Sequence, residues 1–148
     1  MKNKTVRKLL VSIIFLIFID QITKFIIQKM YVSPIGNNLA GIELVYNTGM
    51  PLGFKDGNIR NIFLSVFVLI IIINFLRNQI ERIDKKNIIA LSLVISGGIS
   101  NLIDRFLRGS VINFIKIIKI PNFNLADLFI VSGWFLLIIF LIDYTRKN

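Results

Sequence analysis

The chain has 148 residues, 55% of them hydrophobic, and a net charge of +10 from 18 Lys plus Arg against 8 Asp plus Glu. Apolar sequence in this amount, gathered into long blocks, exceeds what a soluble domain of this length can bury and points to a membrane. Cysteine and histidine are both absent, which excludes disulfides, thiol nucleophiles, thiolate or imidazole metal sites and Ser-His-Asp chemistry. Any proton transfer therefore falls to carboxylates, Lys or Tyr, and neither a metal nor a cofactor is expected.

Lys2, Lys4, Arg7 and Lys8 precede an apolar run, Leu9 to Ile19, that continues past Asp20-Gln21-Ile22-Thr23-Lys24 into Phe25 to Ile27. No small-residue cleavage site follows, so the segment reads as a retained first helix over about 9–30 rather than a removed signal sequence. A helix of that length spans about 33 Å, enough for a bilayer core. Residues 31–58 form the only long connection; they are rich in Gly and Pro, and Ile42-Glu43-Leu44-Val45-Tyr46 reads as a strand of a small extramembrane sheet.

A second span is expected over about 59–76, followed by the charged loop Arg77 to Lys86. The third covers about 88–107 and becomes polar towards its end. Gly109 to Asn122 is a second, partly apolar connection, and the fourth span covers about 123–142. The whole reads as one all-α integral membrane domain of four transmembrane helices, 1–148, acting as a monomer. Basic residues flank the apolar blocks, so the expected partners are membrane lipids with anionic headgroups and not nucleic acid.

Arg77, Arg82, Lys85 and Lys86, together with Arg146 and Lys147, lie on the same side as the N-terminal cluster if there are four spans, which makes both termini cytoplasmic. Lys55, Arg60, Arg105, Arg108, Lys116 and Lys119 lie on the other side and are outnumbered. That orientation gathers the polar residues embedded in apolar sequence at one membrane face: the segment after Asp20, the loop at Asn47, Asn101 to Arg105, and Asn124 to Asp127. A site opening to the outer leaflet needs such a convergence.

Each of these residues also has a plainer reading. Asp20 lies roughly 16 Å along the axis from Leu9, deep enough to require a partner, and Lys24 shares its helix face at spacing four; the two read first as a structural ion pair. Ser92, Ser96 and Ser100 with Gly97 and Gly98 form a small-residue face suited to close helix packing. Asp104 reaches towards Asn101 and Arg108 on its own face, while Arg105 points elsewhere, towards a loop carbonyl or a phosphate. Asn124 and Asp127 read either as a helix cap or as chemistry, and the sequence leaves both open.

Four segments, in order, carry a resemblance. They are Asp20-Gln21-Ile22-Thr23-Lys24, Asn47-Thr48-Gly49-Met50-Pro51-Leu52-Gly53, Gly98-Ile99-Ser100-Asn101-Leu102-Ile103-Asp104-Arg105, and Phe123-Asn124-Leu125-Ala126-Asp127. Together they resemble bacterial lipoprotein signal peptidase, or signal peptidase II, over nearly the whole chain. The resemblance implies a multi-pass aspartic endopeptidase of the bacterial cytoplasmic (inner) membrane, with an extracytoplasmic β-cradle over about 31–58. It implies a substrate, too: diacylglyceryl-modified prolipoprotein, cut before the lipidated cysteine. Two aspartates act in that family. One corresponds to Asp127; the other falls on Asn113 of Val111-Ile112-Asn113-Phe114. Asp20, Lys24, Asn47, Gly49, Asn101, Asp104, Arg105 and Asn124 are implied as site support or substrate contacts. Pro51 is a lesser departure from the pattern. Asn113 is the greater one, since an amide orients water but takes no proton from it; a non-catalytic relative that binds lipoprotein precursors is the alternative it raises. A third reading, a proton-coupled exporter carrying protons on Asp20, needs a midplane site open to both faces, whereas the polar residues here lie towards one face.

Overall fold

The computed structural model describes residues 2–49, 66, 70 and 85–147. Three long helices are seen: α1 (Lys2–Met30), α2 (Lys85–Arg108) and α3 (Leu125–Lys147). Four strands accompany them: β1 (Ile35–Gly36), β2 (Ala40–Asn47), β3 (Val111–Ile117) and β4 (Ile120–Phe123). The expected second span over 59–76 lies outside the described residues except for Val66 and Ile70, both helical. Pro51 lies outside them as well.

α2 is the central helix, packed on α1 along one face and on α3 along another, while α1 and α3 meet only marginally. Leu9 and Ile13 pack on Leu91 and Ile95 at one end, and Asp20 and Gln21 meet Ser100 and Asp104 at the other. α1 and α2 therefore run parallel. α3 returns antiparallel against α2 through glycine contacts with no room for a side chain. A Cβ on Gly97 would stand 2.4 Å from the Ala126 carbonyl oxygen, and one on Gly133 would stand 2.7 Å from that of Ala90. Gly97 of the small-residue stretch thus brings the backbones of α2 and α3 together, while Ser100 of its spacing-four row meets Asp20 on α1.

Beside its apolar core, the bundle buries polar side chains and turns large apolar ones outward. Phe15, Phe18, Phe25, Val131 and Phe135 are exposed, while Asp20, Lys24, Ser96, Ser100, Asp104 and Asn124 are fully buried. Apolar side chains outside and polar ones within suit a lipid surround. Among the described residues, Lys4–Met30 and Asn87–Arg108 are long and apolar enough to cross a membrane.

The second connection is where the sequence reading needs correction. Residues 109–122, read as an irregular link, hold β3 and most of β4, and these join β1 and β2 in one antiparallel sheet of order β1-β2-β3-β4. The small sheet expected beside the helices is there, but its strands extend well past 31–58. Val111-Ile112-Asn113-Phe114-Ile115 is rich in β-branched and aromatic residues, but it joins β4 through a two-residue turn, Ile118-Lys119, that carries none of the usual Gly, Asn or Asp. Lys119 there adopts a positive φ of 63°, a conformation that the sequence does not advertise. Because Phe123 belongs to β4, α3 starts at Leu125 rather than 123.

A bulge in β2 sets the register that matters. Ile42 pairs with Ile115 and Val45 with Asn113, leaving two β2 residues opposite one of β3. The Glu43 carbonyl at the bulge accepts a hydrogen bond from the Asn122 side chain at 3.0 Å, and the Glu43 carboxylate pairs with Lys116 across the strands at 2.6 Å. Gln28 donates to the Tyr46 hydroxyl at 3.1 Å, fixing the sheet over the end of α1.

Candidate functional site

The site grows outward from a buried ammonium group. Lys24 is fully buried on α1, and its Nζ lies 2.7 Å from Asp20 Oδ2 and 2.8 Å from Asp104 Oδ2. It donates a third bond to Asn101 Oδ1 at 3.1 Å. Three donors meet three acceptors, the complete capacity of an ammonium group. The carboxylates are saturated in turn. Asp20 accepts from the Ser100 hydroxyl at 2.6 Å and from the backbone N–H of Ala126 at 2.8 Å. Asp104 accepts from Gln21 at 3.0 Å and from the Ile112 N–H at 3.3 Å, and it forms an ion pair with Arg108.

A layer of amides lies above this knot. Asn124 caps α3: its Oδ1 accepts from the Asp127 N–H at 2.9 Å, and Asp127 Oδ2 accepts from the Asn124 N–H at 3.2 Å. This reciprocal pair is a capping box, so the capping reading of both residues is right. The same residues also bear on the cavity. Asn124 Nδ2 points at Asn101 Oδ1, Ile112 O and Asn113 Oδ1, at 3.1, 3.1 and 2.9 Å. Asn101 Nδ2 donates to Asp127 Oδ1 at 2.8 Å. Asn113 Nδ2 donates to the Asn122 carbonyl at 2.6 Å.

Asn101, Asn113 and Asp127 line a cavity of about 420 Å³ whose lining is part polar and part apolar. Asn47, Asn101, Arg105, Asn113 and Asp127 form the polar wall; Phe123 and Pro121 from the β4 end and Leu128, Ile130 and Val131 of α3 form the apolar one. Leu128 and Val131 are exposed, so the apolar wall continues onto the outside of the bundle. Arg105 is 93% buried, and its Nε finds no hydrogen-bond partner among the described residues. Asp127 is the only carboxylate among the described lining residues.

The structure thus brings together Asp20, Lys24, Asn101, Asp104, Arg105, Asn113, Asn124 and Asp127. Asn47 joins the cavity at the end of β2. Gly49 does not line it; its N–H donates to Asn47 Oδ1 at 2.9 Å and holds that side chain in place. Asp104 reaches Arg108 as its spacing predicts, but its link to Asn101 passes through Lys24. Sequence reasoning missed Gln21, Ser100 and Asn122. Ser100 was read as packing only. Its four-residue step from Ser96 placed it on the α2 face that turns out to meet α1, and that was the available signal.

Comparison with known proteins gives a consistent picture. A family model described as signal peptidase (SPase) II matches residues 12–143. A lipoprotein signal peptidase of Caldicellulosiruptor bescii is 39% identical over 124 residues, covering 80% of each chain. One of Borrelia turicatae is 33% identical, over 90% of this chain and 87% of its own. A solved bacterial membrane enzyme, determined by the in meso method, superposes with a TM-score of 0.81 at 27% identity, over 97% of this chain and 92% of its own.

Asn124 is the shared joint of cap, strand and cavity. Asn124→Ala should lower the unfolding free energy by about 1 kcal/mol for the lost cap and roughly 1–3 kcal/mol more for stranded buried partners. Denaturant unfolding in detergent measures it; a loss below about 0.5 kcal/mol would show that the cap is not structural.

Proposed function

Because the chain belongs to the signal peptidase II family, we propose that the cavity beside Asp127 is where it cuts a lipidated precursor. The family is one of aspartic peptidases of the bacterial membrane, and the chain is an enzyme of that kind with lipoprotein signal peptidase activity.

The observation that carries the reading is that one cavity holds both a partly buried carboxylate, Asp127, and apolar side chains of α3. Asp127 is held by Asn101 and by the start of α3, with an oxygen available to a water. Arg105 lines the same cavity, and its guanidinium supplies a charge-assisted donor for a substrate carbonyl. Asn113 lines the opposite strand. The wall of Leu128, Ile130 and Val131, open to the bundle exterior, suits the acyl chains of a diacylglyceryl group next to the bond to be cut. Asp20, Lys24, Asp104 and Asn124 act through other side chains and serve as positioning residues. This favours catalysis over a binding role for the site, since the carboxylate is presented to the cavity rather than spent on an ion pair.

The proposed topology has four spans in a single membrane domain with both termini cytoplasmic. Parallel α1 and α2 support it: the intervening chain must cross back, and Ile59 to Leu76 is its one apolar run of sufficient length. The sheet then lies outside, over the cavity. Reporter fusions test the orientation, with one at the C-terminus reading cytoplasmic and one at Gly41 extracytoplasmic; a cytoplasmic Gly41 overturns it.

The substrate assignment predicts that purified protein cuts a diacylglyceryl-modified precursor and leaves the unlipidated form essentially uncut. Asp127→Asn should lower the rate by about 10²–10⁴-fold with little change in precursor binding. Equal cleavage of both precursors, or full activity in Asp127→Asn, contradicts the assignment.

A further inference from the structure

We propose that this chain hydrolyses its peptide bond with a single working carboxylate, Asp127, which carries the proton in both directions, while Asn113 serves as a permanently neutral partner. The inference rests on the function proposed above and specifies how the site does its chemistry.

The cavity's charged inventory is short. Among the described residues, Asp127 and Arg105 are the ionisable side chains that line it. The other nearby carboxylates are committed elsewhere. Asp20 is fully buried between Lys24, Ser100 and the Ala126 N–H, and Asp104 between Lys24, Arg108, Gln21 and the Ile112 N–H. Neither lines the cavity.

Position 113 is built for a neutral group. Asn113 Nδ2 donates to the Asn122 carbonyl at 2.6 Å while its Oδ1 accepts from Asn124 at 2.9 Å. A carboxylate there would set its negative oxygen against a carbonyl oxygen; only a protonated acid reproduces the pattern. The amide copies the protonated half of a carboxyl pair in shape and hydrogen bonding, without a proton to give.

One carboxylate suffices for the balance. The Asp127 carboxylate takes a proton from a water, and the hydroxide oxygen bonds to the scissile carbonyl carbon. The carbonyl π pair moves onto its oxygen on the side of the Arg105 guanidinium. The Asp127 carboxylic acid then returns that proton to the amide nitrogen as the oxyanion re-forms C=O and the C–N bond breaks. The products are a free amine and a new carboxyl terminus, which loses its own proton to solvent, and Asp127 is again a carboxylate. The charged groups facing Asp127 are Arg105 from α2 and Lys24 and Asp20 from α1, with Asp104 acting on Arg105 behind it; β3 and β4 present the neutral Asn113 and Asn122.

The pH profile of kcat/KM for a lipidated precursor discriminates. With one carboxylate acting first as base, activity rises through one ionisation and stays flat to about pH 8, below the range of Tyr and Lys. In Asn113→Asp, two coupled carboxyls must share one proton, so the profile should be bell-shaped and its maximum about 10–10³-fold higher. Native protein should still cut at least about tenfold faster than Asp127→Asn. A falling limb below pH 8 in the native profile overturns the proposal by revealing a second carboxyl, and so do identical profiles for native protein and Asn113→Asp. Native protein no faster than Asp127→Asn, with Asn113→Asp active, overturns it while leaving the proposed function standing. Inactivity of both folded forms overturns the two together. If Asn113→Asp does not fold, the native profile and the comparison with Asp127→Asn still decide.

Discussion

The Lys24 ammonium group, enclosed between Asp20 and Asp104 with no exposure to solvent, is the interaction on which the rest of the structure depends. A charge removed from water is costly unless each of its hydrogen bonds is met, and a buried pair that loses one member costs about 3–5 kcal/mol. Here each member also orients something else. Asp104 ties α2 to the N–H at the start of β3. Asp20 reaches α3 through the Ala126 N–H and so fixes where that helix begins. Lys24 fixes the Asn101 oxygen, and with it the direction in which Asn101 donates to Asp127. Three helices and one strand are referenced to one ion cluster, and Asp127 stands at its edge.

This arrangement divides the labour among acidic side chains of similar intrinsic chemistry. Saturated hydrogen bonding keeps Asp20 and Asp104 structural, whereas Asp127, in the first turn of α3, keeps an outlook on the cavity. The cavity itself combines requirements that conflict elsewhere in a membrane protein. Under the proposed function, hydrolysis needs water and fixed polar groups, and a lipidated substrate needs an apolar surface. The polar end of α2 faces one and the exposed flank of α3 faces the other, and the close backbone approach at Gly97 sets the two side by side.

Much of this was legible in the sequence because membrane burial leaves a loud signal. Long apolar blocks placed α1, α2 and α3 to within a few residues at most ends, though α1 begins well before Leu9. Asp20 and Lys24 stood out as charges too deep to go unpaired, at a spacing that made them partners. The capping motif of Asn124 and Asp127 was readable as local chemistry. What stayed hidden depended on contacts between distant segments. Nothing local in Asp104 says that Lys24, from another helix, stands between it and Asn101. Ser100 looked like any small residue of a packing face until Asp20 was opposite it. β3 and β4 were masked because the two-residue turn at Ile118-Lys119 lacks the residues that normally mark one. Asn113 could be placed by resemblance, but only the register of β3 against β2 and β4 shows that both ends of its amide are engaged.

The central claim is that Lys24 and Asp104 stabilise the bundle as a unit, and a double-mutant cycle on unfolding free energy in bicelles tests it most directly. Lys24→Met and Asp104→Asn should each be strongly destabilising. The double variant should be more stable than the sum of the two losses by more than about 1 kcal/mol, because once Asp104 is neutral the loss of Lys24 strands one buried carboxylate, Asp20, instead of two. Additive losses, with a coupling near zero, would contradict the claim and leave the ion cluster a passenger in the fold.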